Sequence, residues 1–474
     1  MARMLRPSAV ALALATLAAP PLAADAVDDF VQSTLAERKI PGAAVLVMRD
    51  GEVERAVGYG LANVEHGIAV TDETIFQSGS VGKMFTAAGI LLLAEEGKLD
   101  PDDRLAQHLP GPAAWHRITI RQLLTHTSGL KDYGEEFDYR KDYSDDAMLA
   151  AMQKLPLEFE PGTQWSYSNS GYLILGLLTS KLAGKHWSDY QAEKIFQPLG
   201  MTTTRVISER DLVPHRAAGY ELDEQSELKN QEWVAPPFNR CADGALYFSL
   251  RDLAAWERAL AAGTFLKPES LAAWWTAVPL AGGRSHPYGF GWSFAEQRGQ
   301  RVVEHGGAWQ GFRAVIARYP EQKLGVAVLA NLAQAETETM AHTIAGLVEP
   351  VLALRDTAAK ATDPDSAHTA QLRELLAAWS EFRVTPTMSP ALAATASGSA
   401  REAGDRRRTG ARLAQPTSFL YLGEDALTPA AATQIGGGAT RAVDYTLETP
   451  EARFVYRFLL AADGRVLSFD SERR

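Results

Sequence analysis

Between residue 27 and about residue 355 the chain alternates short β-type apolar runs with segments whose apolar positions recur at helical spacing. "AAVLVMRDGEVERAVGYG" places two such runs around Asp50-Gly51 and predicts a hairpin. "SVGKMFTAAGILLLAEEGKL" keeps apolar residues at Val81, Met84, Phe85, Ala88, Leu91 and Leu92, which predicts a helix with Gly97 as its stop. "TIRQLLTHTSG" opens on a capping-box pair, Thr119 and Gln122, and predicts a short helix. "NSGYLILGLLTSKLAGK" reads as a further helix, apolar enough to lie in a core. "RVVEHGG", "FRAVIARYP" and "KLGVAVLAN" read as adjacent antiparallel strands.

The pattern then breaks. "RDTAAKATDPDSAHTA" is polar and poor in large apolar residues, which makes it a linker. Beyond it come one helix ("TAQLRELLAAWSEF"), a low-complexity stretch ("SPALAATASGSAREAGDRRRTGA") and several strands, the last pair turning at Ala462-Asp463-Gly464. The organisation expected is therefore a segment 1–26, a large mixed α/β region over 27–356, a linker over 357–370 and a small α+β domain over 371–474. No chemical motif falls beyond the linker, so truncation near residue 365 is expected to leave the first region folded.

Composition is that of a globular chain, 46% hydrophobic with 10 Trp, so a large core is available. The net charge of −11 argues against a nucleic-acid surface, which needs clustered Lys and Arg. The N-terminus is different. Arg3 and Arg6 precede an apolar run from Ala9 to Ala19 and a small-residue site at Ala24-Asp25-Ala26. That order is the order of a secretory signal peptide, and the run is too short to span a bilayer; a disordered Ala-rich tail is the bland alternative. An exported, periplasmic or secreted protein with no stable membrane anchor is expected. The single cysteine, Cys241, has no internal disulfide partner and reads as a buried structural thiol.

The tetrad S-x-x-K occurs at Ser80–Lys83, Ser128–Lys131 and Ser226–Lys229. Ser226 lies in an acidic loop with nothing to desolvate a lysine, and Ser128–Lys131 straddles Gly129, where a helix ends. Ser80 and Lys83 open a strongly apolar helix, share a face, and sit where N-terminal amides favour a developing anion. Burial there would lower the lysine pKa, as a lysine base requires. A serine nucleophile also needs a second proton carrier and an oxyanion hole. The chain's one Y-x-N, Tyr167-Ser168-Asn169, stands just before a buried helix. Its one H-x-G, His305-Gly306-Gly307, stands on a strand edge, where the Ala308 N–H can join that of Ser80.

In this order the motifs resemble those of the serine β-lactamase and penicillin-binding-protein superfamily. The likeness is to its class C-like branch, with D-alanyl-D-alanine carboxypeptidases, D-aminopeptidases and lipase-like esterases. "LLTHTSGL", "IFQPLGM" and "YGFGW" add to the likeness, which covers roughly residues 27 to 350. The resemblance implies an α/β (mixed α+β) fold. An antiparallel sheet flanked by helices is built from the two ends of the region, with a helical lobe between them and the site in the groove. It implies Ser80 as acylated nucleophile, Lys83 as its proton acceptor and Tyr167 as the relay to the leaving group. Asn169, His305, Gly306, Gly307 and Ala308 then bind a small-molecule or peptide substrate. The C-terminal part weakly resembles the nuclear-transport-factor-2-like sheets appended to some exported hydrolases.

One departure bears on substrate. His305 stands where a lysine is usual and Gly306 removes the neighbouring hydroxyl, so an ester or amide lacking a carboxylate gains weight. A histidine of ordinary pKa would make carboxylate recognition respond to pH near ~6.5. No cofactor is implied, and no histidine spacing suggests a metal site. His126 reads as a structural histidine bonded across its loop, and Asp243 as a turn residue. Two function classes stand: an exported serine hydrolase acting on an ester, D-amino-acid peptide or β-lactam, and a penicillin-binding or peptidoglycan-sensing protein that keeps the fold but turns over poorly.

Overall fold

The computed structural model describes residues 22–474 except 134–136, 208–210, 236–237, 239–240, 282–284, 356–360, 397–402, 415–417, 436–437, 451 and 474. The signal segment expected over 1–26 lies almost wholly outside the described residues, as does part of the linker. Helix α1 (Leu22–Arg38) leads into a hairpin of β1 (Gly42–Arg49) and β2 (Glu52–Asn63), followed by β3 (Ile68–Ala69). Far along the chain, β4 (Ser293–Gln297), β5 (Gln300–Trp309), β6 (Phe312–Tyr319) and β7 (Leu324–Ala330) form a meander. β7 pairs antiparallel with β1, Val45 opposite Val328, closing one seven-stranded sheet in the order β4-β5-β6-β7-β1-β2-β3.

The apolar runs of β1 and β7 do not alternate because both faces of the sheet are covered. Val45, Val47, Val326 and Val328 pack with Val27 and Val31 of α1 and with Met340 and Ile344 of α7 (Thr337–Val348). Ala44, Leu46, Ala327 and Leu329 face the opposite core with Met84, Phe85 and Leu91 of α2 (Gly82–Glu95). Between β3 and β4 the chain builds the helical lobe. It contains α3 (Ile120–Leu124), capped by Thr119 and Gln122 as the sequence implied, and α4 (Asn169–Ala183).

After α7, helix α8 (Ser366–Ser380) and a separate antiparallel sheet follow: β8 (Ser418–Ala426), β9 (Ala439–Glu448), β10 (Arg453–Ala461) and β11 (Val466–Arg473), paired in sequence order. Two readings change here. The low-complexity stretch carries helices Pro390–Ala396 and Ala403–Ala414, its alanines outweighing its small polar residues. The C-terminal part is also not a loosely tethered appendage. Arg457 gives Nη1 to Asp444 at 2.6 Å and Nη2 to Glu296 of β4 at 2.7 Å. Arg298, in the β4–β5 turn, reaches Asp425 at 3.1 Å, and Arg355 reaches Asp425 at 2.6 Å. Among the described residues no helix is long and apolar enough to cross a membrane.

Candidate active site

Ser80 lies in a single 3-10 turn, Gly79–Val81, that runs into α2. Gly79 has φ +49°, and a Cβ there would stand 2.4 Å from the Ala308 nitrogen. That close approach puts the backbone of β5 directly against the serine turn, and a side chain at 79 would both strain the turn and drive the strand away. The sequence flagged Ser80 and Ala308 but not the glycine that lets them meet.

Lys83, one turn along the same face, is fully buried. Its Nζ lies 3.0 Å from Ser80 Oγ and donates to Asn169 Oδ1 at 2.8 Å and to the Asp243 carbonyl at 2.7 Å. The rings of Tyr167 and Tyr172 lie 4.9 and 5.4 Å from it. Burial pulls its pKa down to about 8, against the opposing pull of the Asp243 and Asp132 carboxylates. An ammonium with its water stripped away and its hydrogen bonds to neutral oxygens is poised to lose a proton near neutral pH.

Tyr167 is hydrogen-bonded to Ser80, and burial raises its phenol pKa, so it holds its proton. Asn169, the first residue of α4, is fixed by Asp132. That carboxylate accepts the Asn169 amide at 2.7 Å, its Nδ2 at 3.2 Å and the Ser170 amide at 3.2 Å, a capping arrangement supplied from 37 residues away. Sequence reasoning missed Asp132, because a cap from a distant loop leaves no local signature. It also took Asp243 for a plain turn residue. Asp243 does sit in a turn, yet its carbonyl holds Lys83 and its carboxylate accepts the Tyr133 hydroxyl at 2.6 Å.

The motif histidine behaves differently from expectation. His305 is 5% exposed, and its Nε2 lies 2.9 Å from the Tyr288 hydroxyl, which lies 3.1 Å from His126 Nε2. The ends of this chain fix its direction. The Ser168 amide donates to His126 Nδ1 at 3.1 Å, so that ring carries its proton on Nε2 and gives it to Tyr288. Tyr288 then donates to His305 Nε2, and His305 Nδ1–H is left to donate to the Gly306 carbonyl at 2.6 Å. Both rings are neutral in this arrangement. Burial agrees, pulling the His305 pKa to about 4, with the Lys83 charge acting in the same sense. A charge change of His305 near pH ~6.5, expected from an unburied ring, is therefore corrected: the imidazole is a fixed neutral support. His126 does bond across its loop, as read from sequence, and packs 4.2 Å from the Tyr167 ring. Gly306, Gly307 and Ala308 follow on β5, with Ala308 exposed beside the serine turn.

A protein-family model described as Beta-lactamase matches residues 27–349. A penicillin-binding protein of Bacillus subtilis (strain 168) is 31% identical over 316 residues, covering 63% of this chain and 70% of the relative. A D-aminopeptidase of Gluconobacter oxydans is 31% identical over 321 residues, covering 64% of this chain; this chain spans only 58% of that relative's length. Among solved structures, an octameric penicillin-binding protein homologue from Pyrococcus abyssi aligns with a TM-score of 0.62 at 23% identity, over 95% of this chain and 96% of the other. A D-amino acid amidase from Ochrobactrum anthropi, solved with L-phenylalanine amide, aligns with a TM-score of 0.60 at 22% identity, over 70% and 97% of the two chains. At these identities the structural likenesses carry the fold.

Proposed function

The chain belongs to the beta-lactamase family, and we propose that it is an exported serine hydrolase that opens an amide or ester through a Ser80 acyl-enzyme. The observation that carries this reading is the buried Lys83 amine 3.0 Å from Ser80 Oγ. Neutral Lys83 takes the serine proton as Oγ bonds to the substrate carbonyl carbon. The oxyanion forms at the serine turn, where the Ser80 and Ala308 amides receive it. The carbon–nitrogen or carbon–oxygen bond to the leaving group breaks, and Tyr167 delivers it a proton that is replaced from Lys83. Water then attacks the ester, loses its proton by the same route, and Ser80 leaves with a proton restored.

With His305 neutral, β5 offers a substrate carboxylate no cation where the family usually places lysine. Neutral esters and amides fit better than β-lactams, and the D-aminopeptidase and D-amino acid amidase relatives make D-amino-acid amides the first amides to try.

A serine-directed acylating probe is expected to label Ser80 and spare Ser128 and Ser226 in peptide mapping; an adduct on Ser128 would overturn the assignment. With a p-nitrophenyl ester, steady turnover beyond the first equivalent separates a hydrolase from a protein that acylates and stops. The pH dependence follows from the same geometry. Since the working base is neutral Lys83, kcat/KM should rise with pH through about 8 and level off above it. A profile rising instead near the histidine range would move the base away from Lys83.

A further inference from the structure

Asp132 does more than cap a helix, because it settles which way the Asn169 carboxamide is turned. The two ends of a carboxamide have nearly the same shape, so its partners decide its orientation. At Asn169 both ends are decided: Nδ2 donates to Asp132 Oδ2 at 3.2 Å, and Oδ1 accepts from Lys83 Nζ at 2.8 Å. Asp132 is itself held in place. Its other oxygen takes the Asn169 and Ser170 amides, and Ser170 Oγ donates to the adjoining Lys131 carbonyl at 2.8 Å. As an ammonium, Lys83 has three hydrogens and meets three acceptors: Ser80 Oγ, Asn169 Oδ1 and the Asp243 carbonyl. Once the amine is neutral, two hydrogens stay with Asn169 and Asp243, and the lone pair is left facing Ser80 Oγ. A carboxamide free to turn would instead offer Nδ2–H to that lone pair and occupy it.

We propose that Asp132 is a positioning residue for the reaction, one that locks the Asn169 carboxamide so that the Lys83 lone pair is aimed at Ser80. The proposal rests on the serine-hydrolase reading, and the residue acts through Asn169 rather than on substrate. In the step it serves, the Ser80 Oγ–H proton passes to that lone pair as Oγ bonds to the acyl carbon, and the carbonyl π electrons move to oxygen. The Asp132 charge adds a second effect. The titratable groups facing Lys83 are the Asp243 and Asp132 carboxylates, the Tyr167 and Tyr172 phenols, and the His126 and His305 rings. Burial keeps both phenols protonated and both imidazoles neutral, which leaves the two carboxylates as counter-charges. Asp243 pulls harder on Lys83, although burial raises its own pKa and the Tyr133 hydroxyl donates to it. Removing the Asp132 charge disfavours the ammonium, so Lys83 becomes a base at lower pH.

Asp132→Asn tests it, read as the rate of the p-nitrophenol burst against pH. The oxygen of the new amide stays with the two backbone amides, so its NH2 stands opposite the Asn169 carboxamide and turns Nδ2 of Asn169 onto Lys83. The plateau rate should fall roughly tenfold, the scale of one misdirected hydrogen bond. The limb, at about 8 in the wild type, should move down by roughly one pH unit. Adding Asn169→Asp puts an acceptor back on Lys83 and a carboxylate directly beside it. The double variant should therefore regain the plateau, with its limb above that of the wild type. Asp132→Glu, which keeps the charge and an acceptor, should leave the limb at about 8, and it carries the test if Asp132→Asn does not fold. Unchanged plateau and limb in Asp132→Asn, with only a lower melting temperature, would overturn the proposal and leave Asp132 a helix cap. So would a double variant no faster than the single one, or a limb displaced in Asp132→Glu. A wild type with no burst and an unlabelled Ser80 would instead bring down the hydrolase reading beneath it.

Discussion

Replacing Lys83 by methionine is expected to slow acylation of Ser80 by ~10²–10⁴-fold, the usual worth of a positioned proton carrier. Methionine follows the volume of the lysine stem, so no large cavity opens among Met84, Phe85 and their neighbours. What goes is the amine that accepts the serine proton and ties Ser80, Asn169 and the Asp243 carbonyl together. Folding should survive, because removing a fully buried ammonium relieves desolvation while it forfeits hydrogen bonds. The burst of p-nitrophenol in stopped flow measures the step directly. A burst rate near that of the wild type would remove Lys83 from the chemistry. A slow burst from a protein whose melting temperature is kept would establish it.

The second large effect is on stability. Arg457→Met is expected to cost ~3–5 kcal/mol, because it strips one cation from three carboxylates at once. Asp444 and Glu296 are 5% and 3% exposed at the side chain, so neither can fall back on water. Arg298 and Arg355 still reach Asp425, and Arg355 reaches Asp444, but Glu296 loses both of its bonds to the arginine. Urea unfolding followed by tryptophan fluorescence should show a lower midpoint, with the C-terminal sheet separating first. An unchanged midpoint would mean that the network is decorative. The same contacts bear on the expectation that the first region folds without the tail, since truncation near 365 would leave Glu296 with the Gly299 amide at 2.9 Å but without its arginine. The linker's composition spoke only for the chain between the two sheets, not for the surfaces on either side of it.

What could be read from the residues follows the reach of each interaction. Ser80–Lys83, the Thr119–Gln122 cap and the β1–β2 turn are settled within a few residues, and local pattern was enough for them. The strands around His305 were equally plain, because two-sided burial demands unbroken apolar runs. The Asp132 cap on α4, the Asp243 carbonyl on Lys83 and the Tyr288 bridge join residues 37, 160 and 17 to 162 positions apart. None of these leaves a periodic trace. His305 shows the limit most clearly. Its motif position was legible, while its charge state depends on a tyrosine and a second histidine that only the fold brings near.

The sheet assembled from both ends of the first region also sets the order in which the molecule can form. β1 is buried along nearly its whole length and pairs on one side with β2, its immediate neighbour in the chain. Its other edge waits for β7, which arrives only after the entire helical lobe has been made. Until then "GAAVLVM" is an open, uncharged, β-prone edge of the kind that templates aggregation. Pairing at such sequence distance makes closure of the sheet the slow step, because the entropy of the long loop is spent before any contact repays it. The chain is therefore most vulnerable during synthesis and refolding rather than once native, and a helper that shields the first hairpin should raise its yield without altering its final stability.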